Sequence, residues 1–247
     1  MDAKTHDDEA VAPARARVEA WDLPTRLFHW AIVILVLSAW VSYRYSENFS
    51  DHLLKVHRWN GLTILTLLVW RLLWGFTGSS TSRFSNFVAL PAAAFSYGRD
   101  LMAGRPRRFL GHNPLGGWMV MALLATLLAQ ASLGLFTVEH NDLTAGPLYR
   151  LVSEAATKTA SHWHHVIFKW VLLPLVTVHV IANVLYGLIK REPLIPAMIT
   201  GRKPAARYED ESEARLVRRP LLRAAALLLL AAALVLGGIR LLAGRLI

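Results

Sequence analysis

The chain has 247 residues, 54% hydrophobic and 18% charged, whereas a soluble globular domain carries about 25% charged residues; that balance argues against a soluble fold. Its formal charge of +10 comes from 27 Lys and Arg against 17 Asp and Glu, an excess that the basic cytoplasmic loops of a membrane protein explain without nucleic acid. No cysteine is present, which excludes disulfides, thiolate metal sites, iron-sulfur clusters and haem attached through Cys-x-x-Cys-His. Any metal cofactor must be held by His or Met.

Residues 1–20 mix Ala, Asp, Glu and Arg without an apolar period and read as a flexible cytoplasmic tail rather than a signal peptide. A first span follows from about Pro24 or Leu27 to Val41 or Tyr43, with Pro24 in a position that a helix's first turn tolerates. After a polar loop from Arg44 to Lys55, the second span runs from about His57 to Phe76. The next segment carries Arg83, Arg99, Arg105, Arg107 and Arg108 against one acid, Asp100, and is expected on the cytoplasmic side. Asn113-Pro114 opens a third span that ends near Phe136.

The loop from Glu139 to Lys158 holds Glu139, Asp142 and Glu154 and is expected to face outward. A fourth span from about His164 to Ile189 returns the chain to Lys190, Arg191, Arg202 and Lys203. A charged hinge, Arg207 to Arg219, leads to an Ala/Leu stretch, Leu221 to Leu242, read as a fifth span with a surface helix as the alternative. The expected fold is all-α: a polytopic membrane protein with a four-helix haem-binding transmembrane bundle over residues 21–200, then a hinge and C-terminal transmembrane helix over 201–247.

Ten histidines occur, and ionisable groups inside a bilayer are functional candidates because burying them is costly. His29 lies at the inner end of span one and His57 at the outer end of span two. His165 and His179 share span four; fourteen residues apart, they fall within roughly 40° of one helix face and about 21 Å apart along the axis. His165 then lies level with His57, and His179 with His29. Two imidazoles approaching a bundle core from different helices suit the axial positions of a haem iron, and without cysteine a bis-histidine b-type haem is the natural metal choice.

His164 competes with His165 for the outer position, and His162 precedes it. His52, His112 and His140 read as loop or interface residues, and His6 lies in the tail. Arg26, Arg58 and Arg71 flank the two levels and are candidate partners of haem propionates; positive-inside charge explains Arg71 equally well, and interface anchoring explains Arg26 and Arg58.

These residues carry a resemblance. Arg26-Leu27-Phe28-His29-Trp30, His57-Arg58-Trp59-Asn60-Gly61, Arg71-Leu72-Leu73-Trp74-Gly75-Phe76-Thr77-Gly78, Arg83-Phe84 and His112-Asn113-Pro114-Leu115-Gly116-Gly117, with the His165/His179 spacing, resemble the bacterial dihaem cytochrome b561 family, which includes the cytochrome b subunits of nickel-iron hydrogenases. The resemblance covers about Val18 to Thr200. It implies two noncovalent b haems with His29, His57, His165 and His179 as axial ligands. The chain departs from the family pattern in Val166 after the paired-His position and in the added His162 and His164.

The function expected from this is relay of electrons across the bacterial inner membrane between quinone and an outer-face partner, which among family members is a hydrogenase, a dehydrogenase or a c-type cytochrome. A homo-oligomer is left open. The rival reading is a transporter moving protons or metal through intramembrane histidines; the near absence of acids in the spans speaks against it.

Overall fold

The structure, a computed structural model, describes residues 16–46, 52–105, 107–138 and 145–244. Glu139, His140 and Asp142 of the expected outer loop, His6, and most of the expected tail lie outside the described residues. The elements in chain order are β1 (Arg17–Glu19), α1 (Leu23–Arg44), α2 (His52–Thr77), α3 (Pro91–Met102), α4 (Pro114–Gly134), α5 (Glu154–Ile189), α6 (Leu194–Thr200), β2 (Arg202–Pro204) and α7 (Pro220–Ala243). Five of them, α1, α2, α4, α5 and α7, are long and apolar enough to cross a membrane. The protein is an all-α polytopic membrane protein, and the Ala/Leu segment forms a fifth apolar helix packed on the bundle.

Local sequence explains where the helices start. Asp22 caps α1 by accepting from the Thr25 amide at 2.8 Å, with Pro24 in the first turn. Asn113 does the same for α4, accepting from the Gly116 amide at 2.8 Å ahead of Pro114. Helix α5 begins ten residues before the expected start of its apolar run. There Ser153 caps it, Glu154 sits at the positive end of the helix dipole, and Lys158 pairs with Glu154 at 2.7 Å one turn on.

Helix α2 is the axis of the bundle: 56% of its membrane window is buried inside the protein, against 6–17% for the other four. Ile64 and Leu68 pack with Leu124, Leu127 and Leu172, and the side chains of Phe28, Ile32 and Val36 close over them from α1. On another side Leu62 and Leu65 meet Val235 and Ile239 of α7. Trp70 and Trp74 meet Ala231, and the Trp70 indole N–H donates to the Ala224 carbonyl at 3.0 Å. The other four spans keep most of their apolar surface facing outward, as a bilayer requires.

One end of the bundle is closed by a polar cap. β1 pairs antiparallel with β2 in the register Arg17 to Pro204, Val18 to Lys203 and Glu19 to Arg202. Around this ribbon Ala20, Trp21, Leu110, Ala197 and Ala214 form a small core. Gly201 makes the corner that brings the ribbon back, with φ at 83°; a Cβ there would lie 2.9 Å from the Trp21 carbonyl oxygen.

The charged segment 207–219 is woven into this cap. Asp210 accepts from the Leu110 and Gly111 amides at 2.7 and 2.8 Å. Lys203 donates to the Phe109 carbonyl at 2.9 Å. Ser80 and Arg215 exchange hydrogen bonds, Ser80 N to Arg215 O at 3.1 Å and Arg215 N to Ser80 Oγ at 2.9 Å, while Ser80 Oγ also donates to Glu211. Ser79, Ser80, Thr81 and Ser82 are all buried under it.

Candidate functional site: imidazole pairs at the two ends of the bundle

Near the capped end His29 of α1 faces His179 of α5, with ring centroids 6.5 Å apart. Toward the opposite end His57 of α2 faces His164 of α5 at 6.4 Å. Metal-to-imidazole bonds of about 2 Å and ring atoms about 1.15 Å from the ring centre, as bonds of about 1.33 Å dictate, put two trans imidazole ligands about 6.3 Å apart between centroids. Both pairs stand at that separation.

The second nitrogen of each ring carries further information. His57 Nδ1 lies 2.8 Å from the Ala39 carbonyl oxygen, and His164 Nδ1 lies 3.0 Å from that of Gln130. A carbonyl can only accept, so Nδ1 carries the proton in each ring, which leaves Nε2 as the nitrogen that would bind a metal. At the capped end His179 has Asn183 against it: the Asn183 amide nitrogen donates to the His179 carbonyl at 2.7 Å and lies 3.4 Å from Nδ1. The His29 ring stands edge-on to Trp30 at 5.0 Å, and its buried Nδ1 has no hydrogen-bond partner among the described residues.

The ring opposite His57 is that of His164, one residue before the position that the spacing favours, and the reason lies within α5. A π-helical turn, Phe168–Leu172, interrupts the α-helix between the two histidine levels. Such a turn inserts one residue without advancing the helical phase. The fifteen-residue interval from His164 to His179 therefore behaves as fourteen α-helical steps and leaves the two about 40° apart, whereas His165 is rotated about 140° away. Pro174 stands just beyond the π turn and has no N–H to give the Trp170 carbonyl. His165 instead packs against Tyr43 at 5.7 Å, and Tyr43 also touches His57 at 5.5 Å.

The expected arginines take different places. Arg26 is half-buried and donates through Nη1 to the Ile199 carbonyl at the edge of the cap. Arg58 is half-buried next to His57. Arg71 is 3% exposed, donates through Nη2 to the Ser82 carbonyl at 3.1 Å, and lies over the Phe84 and Phe87 rings at 5.1 and 6.0 Å.

His112, read from sequence as a loop residue, belongs to this end of the molecule. Its ring packs on Trp21 and on Phe87, each at 4.7 Å, and its Nδ1 is sealed from solvent with no hydrogen-bond partner among the described residues. Burial, then the charges of Arg71 and Lys203, push its pKa down to about 3, so the imidazole is neutral. The local signal was the Asn113-Pro114 cap, which seats the residue before it at the entrance to the bundle. Gly117 supports the same corner, since a Cβ there would lie 2.4 Å from the Phe87 carbonyl oxygen.

A membrane bundle that presents facing imidazoles in an apolar interior, without cysteine, has the donor set of a b-type cytochrome. The family model of prokaryotic cytochrome b561 matches residues 20–201, and the chain belongs to that family. It is a membrane b-type cytochrome that works in electron transfer. Among relatives, a probable Ni/Fe-hydrogenase B-type cytochrome subunit of Rhizobium leguminosarum bv. viciae is 24% identical over 233 residues, covering 84% of this chain and 97% of that protein. Proteins of the same description from Bradyrhizobium diazoefficiens and Cupriavidus necator are 23% and 22% identical, covering 78% and 81% of this chain and 88% and 93% of their own lengths. No solved structure matches the chain. The transporter reading finds no support in these relationships.

Proposed function

We propose that the protein holds two b haems, one between His29 and His179 and the other between His57 and His164, and carries electrons between membrane quinone and a hydrogenase-type partner. The observation that carries this reading is the pair of ring separations, 6.5 and 6.4 Å, each close to what two imidazoles sharing one iron would need and each joining α5 to a different helix. The haem iron supplies the one-electron chemistry when bound. His165, the outer ligand favoured by family spacing, gives way in this proposal to His164 because the π turn rotates it toward Tyr43.

The chain's own residues fix ring orientation and shape the surroundings. The carbonyls of Ala39 and Gln130 hold the His57 and His164 rings in the Nε2-donor tautomer and raise their basicity. The apolar layer of Leu68, Leu124, Leu127 and Leu172 separates the two levels and keeps water out. Arg26 and Arg58 lie near the capped and opposite levels and would act through their charge on the respective sites. Basic segments at the capped end support a cytoplasmic orientation for that end in the bacterial inner membrane, with the N-terminus on the same side. The partner would then dock at the opposite face.

Protein purified in detergent should carry two haems per chain, both reduced by a quinol analogue. A folded protein that binds no haem, or one haem only, would refute the dihaem reading; two haems that a quinol leaves oxidised would refute the quinone link alone.

A further inference from the structure

The capped end contains more buried hydrogen-bond donors than its own residues satisfy. Arg71, in the second span, is 3% exposed, and its Nη1 has no acceptor among the described residues. The nearby acid is Asp22, also 3% exposed, whose Oδ1 is used in capping α1 while Oδ2 has no donor. The two act on each other electrostatically but make no ion pair within 4.0 Å. Three further buried nitrogens at the capped end have no partner among the described residues: Arg26 Nε, Arg83 Nε and His112 Nδ1.

These groups share one setting. Arg71 and His112 lie against the same Phe87 ring, at 6.0 and 4.7 Å. Ser82, whose carbonyl receives Arg71, joins α1 through a 2.7 Å hydrogen bond between its Oγ and Thr25 Oγ1, one helical turn before His29. A guanidinium buried within a membrane span is costly unless it meets an anion with matching hydrogen-bond geometry. Its planar fork suits a carboxylate.

We propose that Arg71, rather than Arg26, binds a propionate carboxylate of the haem held by His29 and His179, with Nη1 as the donor. This inference rests on the dihaem reading and assigns the charged end of one haem. Arg26 is the weaker partner because its Nη1 is committed to the Ile199 carbonyl at the cap edge. A carboxylate neutralised by Arg71 raises the potential of the adjacent iron and stays ionised across neutral pH; removing the guanidinium reverses both effects.

The test is an equilibrium redox titration of the purified protein at several pH values. Arg71→Gln should lower the midpoint potential of one haem, the one lost in His179→Ala, and make that potential pH-dependent near neutrality. Arg71→Lys should recover part of the shift, and Arg26→Gln should lower the same potential less than Arg71→Gln does and leave it independent of pH near neutrality. Two haems with unchanged potentials in Arg71→Gln would overturn the assignment while leaving the dihaem reading intact, whereas a parent protein without two haems would overturn that reading itself. Should Arg71→Gln fail to fold, the parent protein supplies the measurement: haem dimethyl ester, which lacks free carboxylates, should load the His57 site and fail at the His29 site. Equal loading of both sites by the ester would overturn the proposal.

Discussion

Closing the π turn of α5 without shortening the chain should exchange one outer ligand for another. The perturbation is Pro174→Ala, which restores the N–H that the Trp170 carbonyl lacks and removes the cost of about 3 kcal/mol that an interior proline imposes, so that an uninterrupted α-helix can run through the segment with every residue kept. Loss of the π turn makes the extra residue count as a full helical step and turns everything before it by about 100° relative to His179. At a side-chain radius of about 5–6 Å, that rotation carries a ring about 8 Å around the helix, several times a metal–nitrogen bond of about 2 Å. His164 leaves the position opposite His57, and His165 enters it at the fourteen-step spacing. The assay is haem content and the reduced-minus-oxidised spectrum in paired backgrounds. In the parent, His164→Ala should lose one haem and His165→Ala should keep both; in the Pro174→Ala background the two substitutions should exchange effects. If His165→Ala strips a haem from the parent, the π-turn argument is refuted.

Other consequences are more local. Asp210→Ala removes two hydrogen bonds from a charged acceptor and leaves the amides of Leu110 and Gly111 without it; the expected cost is about 2–4 kcal/mol, read as a lower unfolding temperature and faster proteolysis between Arg105 and Gly111. Gly117→Val should disrupt the capped end, because its Cβ would sit 2.4 Å from the Phe87 backbone oxygen, which cannot swing aside as a side-chain tip does; one haem should be lost while the other stays, and equal occupancy of both would contradict this. His112 is neutral in the folded protein, with its pKa pushed down to about 3, while an unfolded histidine takes up its proton near 6.5. Between those values the unfolded state binds more protons, so stability is full above about pH 6.5 and falls as pH drops through that window; His112→Gln should flatten this part of the stability profile.

The membrane spans were legible because hydrocarbon requires about 20 apolar residues in succession, and α1, α2, α4, α5 and α7 all display them. Rise per residue sets His29 and His179 at one depth, and the structure brings those rings to 6.5 Å. His165 falls on the same face as His179 only where one helical period runs through the whole span. Pro174 was the visible sign that the period changes, but a proline in a membrane helix announces a disturbance without saying whether it is a kink or a π turn.

The cap was the least legible part. Arg17–Glu19 and Arg202–Pro204 are three-residue strands far apart in sequence, too short to show alternation. Asp210 and Glu211 stand in a run of charges that looks solvated, although the first holds two backbone amides and the second a buried serine. Arg71 read equally as positive-inside charge and as a carboxylate partner; tertiary packing shows that it turns inward among Phe84, Phe87 and Ser82.

The central claim is that α5 supplies a ligand to each of two haems, with its partners on different helices. Haem content and spectra of His29→Ala, His179→Ala, His57→Ala and His164→Ala test it most directly. The first two substitutions should remove the same haem, the last two the other, and each variant should retain one. Loss grouped in any other way, or full occupancy after substitution of any of the four, would contradict it.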